Sequence, residues 1–274
     1  MINPSSNSLV AQVLEALVQD GRDLSQLKPE QLVALDQFHL RGKAATEELA
    51  ELMAATPGQR VLDLGAGVGG AARYLQQHRD CQVVGLELNP DYVELARELA
   101  RLTGFADRIE FIQGSALDIP FESDVFDHVW LQHLNMYLAD KQAFFSGIAR
   151  VLKPGGSLVM QEVVQGPGGA VLLPVPWAKT DSDNHLVGQT EFIALLEQAG
   201  FEVIDLDDRS AAVCSWLEQQ LEMQQRSREA GKPAKRANLS QLLGSQFGAM
   251  MANQRRNFFE QRTALLQIRA LRRS

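Results

Sequence analysis

Two carboxylates bracket a glycine-rich turn in this chain. Asp63 stands in the apolar run Val61-Leu62-Asp63-Leu64, and Gly65, Gly67, Gly69 and Gly70 follow. Glu87 comes about 20 residues later, where a ribose-binding acid follows a glycine loop. Glycine permits positive φ and, lacking Cβ, lets a ligand press on the backbone. A helix opening at Gly70-Ala71-Ala72-Arg73 would aim its N–H groups and positive dipole end at the occupant. Proton chemistry has three candidates: His133 and Tyr137, after an apolar strand, and His39, near the N-terminus. Histidine can take a proton near neutral pH. Each also has a plain structural reading. His133 could pack over a bound ring, Tyr137 could be a core aromatic, and Gln37 with His39 could decorate a helix surface.

The cradle fits two cofactor classes. Gly65, Gly67 and Gly70 satisfy the dinucleotide pattern G-x-G-x-x-G. Gly65, Gly67 and Gly69 satisfy G-x-G-x-G with Asp63 ahead of it. A carboxylate beside the loop favours a cationic ligand and repels a pyrophosphate. A glycine turn that only packs strand on helix is the third reading.

The elements around these residues alternate. Residues 1–56 read as helical, with Ser8 capping a helix that presents Leu9, Val10, Val13, Leu14, Leu17 and Val18 at helical spacing. Pro29 suits the first turn of a second helix, and a third runs over 44–55. Strands follow at 60–64, 82–88, 109–113, 126–131 and 157–164, separated by helices, which predicts a mostly parallel sheet. Lys153-Pro154-Gly155-Gly156 reads as a helix stop and tight turn. Residues 165–188 break the pattern with Gly-Pro-Gly-Gly, Pro174, Pro176 and Trp177, an irregular loop. A helix over 189–199 and a strand over 201–206 resume it. Residues 210–259 read as helical, split at Gly231-Lys232-Pro233. Thr263–Leu271 reads as a final strand, placed at the sheet edge and antiparallel to its neighbours.

At 274 residues, 45% hydrophobic and 22% charged, the chain has the composition of a soluble globular protein. Its net charge of −8 argues against nucleic acid as a partner. Eleven Lys/Arg against three Asp/Glu after Leu221 leave the last segment at +8. That asymmetry could mark an anionic ligand, a partner or a homodimer contact, or simply a solvated helix face. Cys81 and Cys214 have no metal or disulfide spacing, and no signal pattern or membrane-length apolar run is present, so a cytoplasmic protein with no metal and no membrane partner is expected.

Four blocks together resemble class I S-adenosylmethionine (SAM)-dependent methyltransferases over roughly residues 40–210 plus the final strand. They are Val61–Gly70, Glu87, Gln113–Phe121 and Val151–Gly156. The resemblance implies an α/β fold: a seven-stranded Rossmann-like sheet, mostly parallel with an antiparallel last strand, plus helical lid elements. It divides the chain into an N-terminal lid (1–56), a SAM-binding domain (57–209 and 260–274, with 165–188 as an inserted lid loop) and a helical cap (210–259). Asp36-Gln37-Phe38-His39, with Gly42 and Ala45-Thr46, is similar to the front end of glycine, sarcosine and dimethylglycine N-methyltransferases. Pro174–Ala178 before His185-Leu186-Val187 is also similar to that group.

The implied cofactor is SAM and the implied partner a small-molecule acceptor, an amine or a hydroxyl. Asp63, Gly65, Gly67 and Gly69 would hold its methionine end with Gln37. Glu87 would accept from the ribose hydroxyls. Leu88, Ser115, Ala116 and Leu117 would hold the adenine, with Gln132 facing the site. Ser115 departs from the Asp common in this family. His133, His39 and Tyr137 are the expected catalytic groups. Tyr137 falls where phosphoethanolamine methyltransferases carry a catalytic His ahead of a pair matching Asp140-Lys141. Phe38, Asn135 and Trp177 would line the acceptor pocket. Trp177 could offer its face to a cationic amine or instead anchor its loop. His78 and His128 look exposed. An NAD-dependent oxidoreductase or a catalytically silent SAM-binding module would be the alternatives.

Overall fold

A computed structural model describes residues 8–37, 39–230 and 246–273. Its centre is a seven-stranded sheet: β1 (Arg60–Leu64), β2 (Gln82–Glu87), β3 (Ile109–Gln113), β4 (Phe126–Gln132), β5 (Leu152–Gln165), β6 (Phe201–Asp208) and β7 (Thr263–Arg272). The strand order is β3-β2-β1-β4-β5-β7-β6. β1 to β5 pair in parallel, and β7 runs antiparallel to both β5 and β6. This is the class I methyltransferase topology. The order reverses between β1 and β4, so a ligand crevice opens outside their carboxyl ends.

Burial on both faces makes the parallel strands near-continuous apolar runs. Helices α3 (Gly42–Met53), α4 (Gly70–Arg79) and α5 (Pro90–Leu102) cover one face. There Leu49, Met53, Leu75 and Ala96 pack on Val61, Val83, Trp130 and Val159. The other face carries α6 (Lys141–Val151) and α7 (Gln189–Gln198), whose Phe144, Phe145, Ile148 and Phe192 meet Leu62, Val129, Leu158 and Ile268. Ser8 caps α1 (Leu9–Gln19), accepting from the Ala11 N–H. Its Val13 and Leu17 pack with Leu95 and Leu99 of α5 and with Val68 of the glycine turn. Val18 is exposed instead, on the far side of α1.

Three expectations need correction. β7 is not an edge strand: it lies between β5 and β6, and β6 forms the edge. Leu265, Leu266, Ile268 and Ala270 are buried, whereas β6 exposes most of its length after Phe201, as its acids Glu202, Asp205, Asp207 and Asp208 suggest for an edge. The helix after Pro29 is a short 3₁₀ turn, Pro29–Gln31, followed by the one-turn α2 (Val33–Asp36). Lys153–Gly156 falls inside β5 as a bulge, since Phe126 pairs Leu152 while His128 already pairs Ser157. The helical segment after β6 is α8 (Ser210–Glu229) and α9 (Phe247–Phe259). The split at Gly231-Lys232-Pro233 lies outside the described residues.

Candidate active site

The glycine turn leaves β1 through left-handed backbone: Gly65, Gly67 and Gly69 have φ of +71°, +54° and +80°. Glu87, at the end of β2, straps that turn in place. Its carboxylate accepts from the Gly67 N–H (3.0 Å) and the Asn89 N–H (2.9 Å). Its carbonyl accepts from Gly114 (3.0 Å), which brings the Ser115–Leu117 turn alongside. Each carboxylate oxygen keeps a free lone pair for a ligand hydroxyl. Ser115 Oγ accepts from the Leu117 N–H (3.2 Å) and stabilises that turn. Ala116 is half-buried, while Leu88 and Leu117, following β2 and the Gly114 turn, expose 68% and 45% of their surface.

Asp63 lies beneath the loop, buried, and its Oδ2 has no hydrogen-bond partner among the described residues. Burial, and then the like charge of Glu87, push it up to about 7. A buried acid without a protein cation costs stability, and a cationic ligand group would relieve it.

The segment after α2 is pressed onto the same loop. A Cβ at Gly70 would overlap the Asp36 carbonyl, so only glycine lets the two backbones meet. Asp36 Oδ2 accepts from Arg73 (2.7 Å) in a fully buried ion pair. Gln37 Oε1 accepts from the Thr46 hydroxyl (2.6 Å), and His39 Nε2 lies 3.2 Å from the same oxygen. Phe38 lies outside the described residues. The His39 and His133 rings stack 6.1 Å apart. Burial pushes His39 down to about 4 and His133, with His39 beside it, down to about 3, so both are neutral imidazoles.

His133 has φ +58°, and its buried Nε2 has no partner among the described residues. Gln132 Oε1 accepts from the Trp130 indole N–H (3.1 Å), and its Nε2 has no partner among them either. Tyr137 is 46% exposed and so not a core aromatic. Its hydroxyl makes a weak bond to the Pro176 carbonyl (3.4 Å), and burial of its phenol end pushes it up to about 12.

Two expected pocket residues are anchors instead. Asn135 is fully buried, and its Nδ2 donates to Glu162 Oε2 and the Val163 carbonyl (3.0 Å each). Trp177 is buried beside Val175, Met136 and Leu265, with its indole N–H on Asn184 Oδ1 (3.0 Å). It ties the 165–188 loop to the core and offers no open face to a cation. His128, expected exposed, is buried at the opposite end of β4. His78 is exposed, in the last turn of α4.

Sequence reading passed over Glu162 and Lys141. Both are buried next to the β4 end. Burial pushes Glu162 up to about 7 and Lys141 down to about 8. An acid within the run Leu158-Val159-Met160-Gln161-Glu162-Val163-Val164 was the available signal, since such strands rarely hold one without a task.

Residues 62–160 match the family model described as a methyltransferase domain. Methyltransferase GfsG of Streptomyces halstedii is 31% identical over 180 residues, covering 65% of each chain. The glycine/sarcosine/dimethylglycine N-methyltransferase of Actinopolyspora halophila is 38% identical over 122 residues, 43% of this chain and 22% of that one. The chain thus spans less than two thirds of either relative. Phosphoethanolamine N-methyltransferase 2 of Haemonchus contortus, solved with S-adenosyl-L-methionine, shares the fold with a TM-score of 0.71 at 19% identity, over 90% of this chain and 58% of that one.

Proposed function

We propose, from the premise that residues 62–160 are a methyltransferase domain on a class I fold, that this chain transfers a methyl group from SAM to a small-molecule acceptor, an amine or a hydroxyl. One observation carries the reading: Asp63 is a buried carboxylate under the glycine turn whose Oδ2 has no partner among the described residues. A cofactor with an α-ammonium and a sulfonium supplies the missing positive charge, whereas a pyrophosphate would add to the repulsion from Glu87.

When bound, SAM supplies an activated methyl group on a positively charged sulfur. The protein's part is to hold, orient and exclude water. The Gly65–Gly69 turn and Asp63 would hold the methionine end, with Gln37 reaching it from the α2 side. Glu87 would accept from the ribose hydroxyls, and such charge-assisted bonds are among the strongest available. Leu88 and Leu117 would sandwich the flat adenine, and Ser115 with the Ala116 and Leu117 backbone would meet its edge. Gln132, His133, His39 and Tyr137 would face the acceptor. Neutral His133, whose buried Nε2 has no partner among the described residues, is suited to accept a hydrogen bond from an amine or hydroxyl and so orient its lone pair, while His39 Nε2 is already turned to Gln37 and Thr46. Orientation of this kind is worth about 7–11 kcal/mol in well-aligned systems. The described residues of the 1–56, 165–188 and 210–259 segments would form the lid and cap.

The test is turnover. The purified chain is incubated with SAM and a panel of small amines, glycine derivatives, alcohols and phenols, and S-adenosylhomocysteine (SAH) formation is followed by chromatography. Acceptor-dependent SAH is the expected result. SAM binding with no SAH from any acceptor would favour a silent SAM-binding module.

A further inference from the structure

We propose that Glu162 is a positioning residue of this site: its buried carboxylate fills a backbone nest at the end of β4 and so holds the left-handed turn that presents the His133 imidazole. The proposal rests on reading the β4 end as part of the active site.

Glu162 lies near the C-terminal end of β5 with none of its surface exposed. The β4–β5 register pairs Gln132 with Gln161, so Glu162 stands one step beyond the last residue of β4, opposite the turn. His133 has φ +58°, an unfavourable conformation for a residue with a Cβ. Leu134 follows in right-handed conformation, φ −113° and ψ −37°. A left-handed residue followed by a right-handed one turns successive N–H groups to one side, which makes an anion-binding concavity. Here the His133 N–H meets the Gln161 carbonyl (3.0 Å). The next two N–H groups meet Glu162: Leu134 N at 3.0 and 3.2 Å from its two oxygens, and Asn135 N at 3.0 Å from Oε2. Asn135 Nδ2 adds a further bond to Oε2 at 3.0 Å.

No ion pair from Lys141 to Glu162 occurs among the described residues. Lys141 Nζ instead closes the turn from below, donating to the Asn135 and Leu138 carbonyls (2.7 and 3.0 Å). The Glu162 carboxyl oxygens are therefore met by the turn's own N–H groups, and the turn in turn depends on paired acceptor oxygens in that position. A carboxamide of the same shape would bring an NH₂ against these donors and lose part of the set.

The test is a mutant cycle on the full chain with Glu162→Gln and His133→Gly, read by thermal midpoint, with ¹⁵N-histidine NMR of the single Glu162→Gln variant. Glycine takes φ +58° without strain, so it should help most where the nest has been weakened. His133→Gly is expected to raise the midpoint in the Glu162→Gln background by at least about 2 °C more than it does in the wild-type background. The His133 ring signals should shift in Glu162→Gln while those of His128 stay in place. An additive cycle with unmoved His133 signals would overturn the proposal. Should Glu162→Gln fail to fold, the double variant is expected to recover folding, and a double variant that stays unfolded would overturn it equally. SAH titration of the wild-type chain runs alongside. Absence of SAH binding there would sink the methyltransferase reading and leave the nest result standing on its own.

Discussion

His128, on β4, and His133, five positions on and just past its end, show how the two ends of the sheet differ. Both are held neutral by burial, at about 4 and about 3. His128, near the start of β4, has both ring nitrogens engaged: Nδ1 lies 2.7 Å from Ser157 Oγ and Nε2 lies 3.0 Å from Gln59 Oε1. Its neighbour Asp127 binds the Arg60 N–H and Lys153. His133, just past the end of β4, has a buried Nε2 without a partner among the described residues and a strained backbone. Toward the same end of the sheet, Asp63 Oδ2, Gln132 Nε2, Asn135 Oδ1 and Gln161 Oε1 are also buried and unpartnered among the described residues. Native folds satisfy buried polar atoms almost everywhere. A concentration of unsatisfied ones at the carboxyl end of the sheet is what a ligand site would leave, and the amino end is what the same residue types look like when they only build structure.

The sharpest way to break this contrast is Glu87→Ala. Losing the strap on Gly67 and the ribose acceptor together should weaken SAH binding by about 3 kcal/mol, roughly 100-fold, in calorimetric titration. Asp127→Asn, at the opposite end, should leave that affinity unchanged. Next in size, His128→Leu strands Ser157 and Gln59, and should lower stability in denaturant unfolding by about 1–3 kcal/mol with SAH affinity intact. His133→Asn should do the reverse, since Asn tolerates left-handed backbone: stability near wild type, turnover reduced.

Asp63→Asn sharpens the comparison further by separating stability from function. Removing an unpaired buried acid should raise the ligand-free thermal midpoint, by about 1–3 kcal/mol of stability, while weakening SAM binding. A lower midpoint would contradict the view that Asp63 is kept at a cost.

The smallest effect expected is pH dependence, because two sets of groups oppose one another. His39, His128 and His133 are lowered from 6.5 to about 4, 4 and 3, so the unfolded chain binds more protons and stability falls as pH drops below about 6.5. Asp63 and Glu162 are raised to about 7, so their contribution is present at low pH and lost as pH rises from about 4 to 7. The midpoint should therefore decline only gently between about pH 6.5 and 4.5. Asp63→Asn, which removes one opposing group, should steepen that decline.

Much of the framework was readable in the residues. The Val61–Gly70 block, the β1 and β3 boundaries and the place of Glu87 at the end of β2 needed only local pattern, because a glycine turn between a buried strand and a helix has few alternatives; that Glu87 also straps Gly67 did not show in the sequence. The place of β7 depended on non-local pairing. Even so, Ala264-Leu265-Leu266-Gln267-Ile268 is the near-continuous apolar run of an interior strand, while Asp205, Asp207 and Asp208 mark β6 as an edge. Asn135 and Trp177 could not be assigned from type alone, because an amide or an indole can line a pocket or satisfy a loop, and only their partners Glu162 and Asn184 decide. His128 was misjudged because its partners Gln59 and Ser157 lie far from it in the chain.

The central claim is that the carboxyl end of β1, β2 and β4 takes a cationic adenosyl cofactor and not a dinucleotide. The most direct test is calorimetric titration of the full chain with SAM, SAH and NAD, repeated on Glu87→Ala. Saturable SAM and SAH binding, weakened roughly 100-fold in Glu87→Ala and with no heat from NAD, is the predicted result. NAD binding without SAM binding would contradict the account, and the unpartnered Asp63 would then need another explanation.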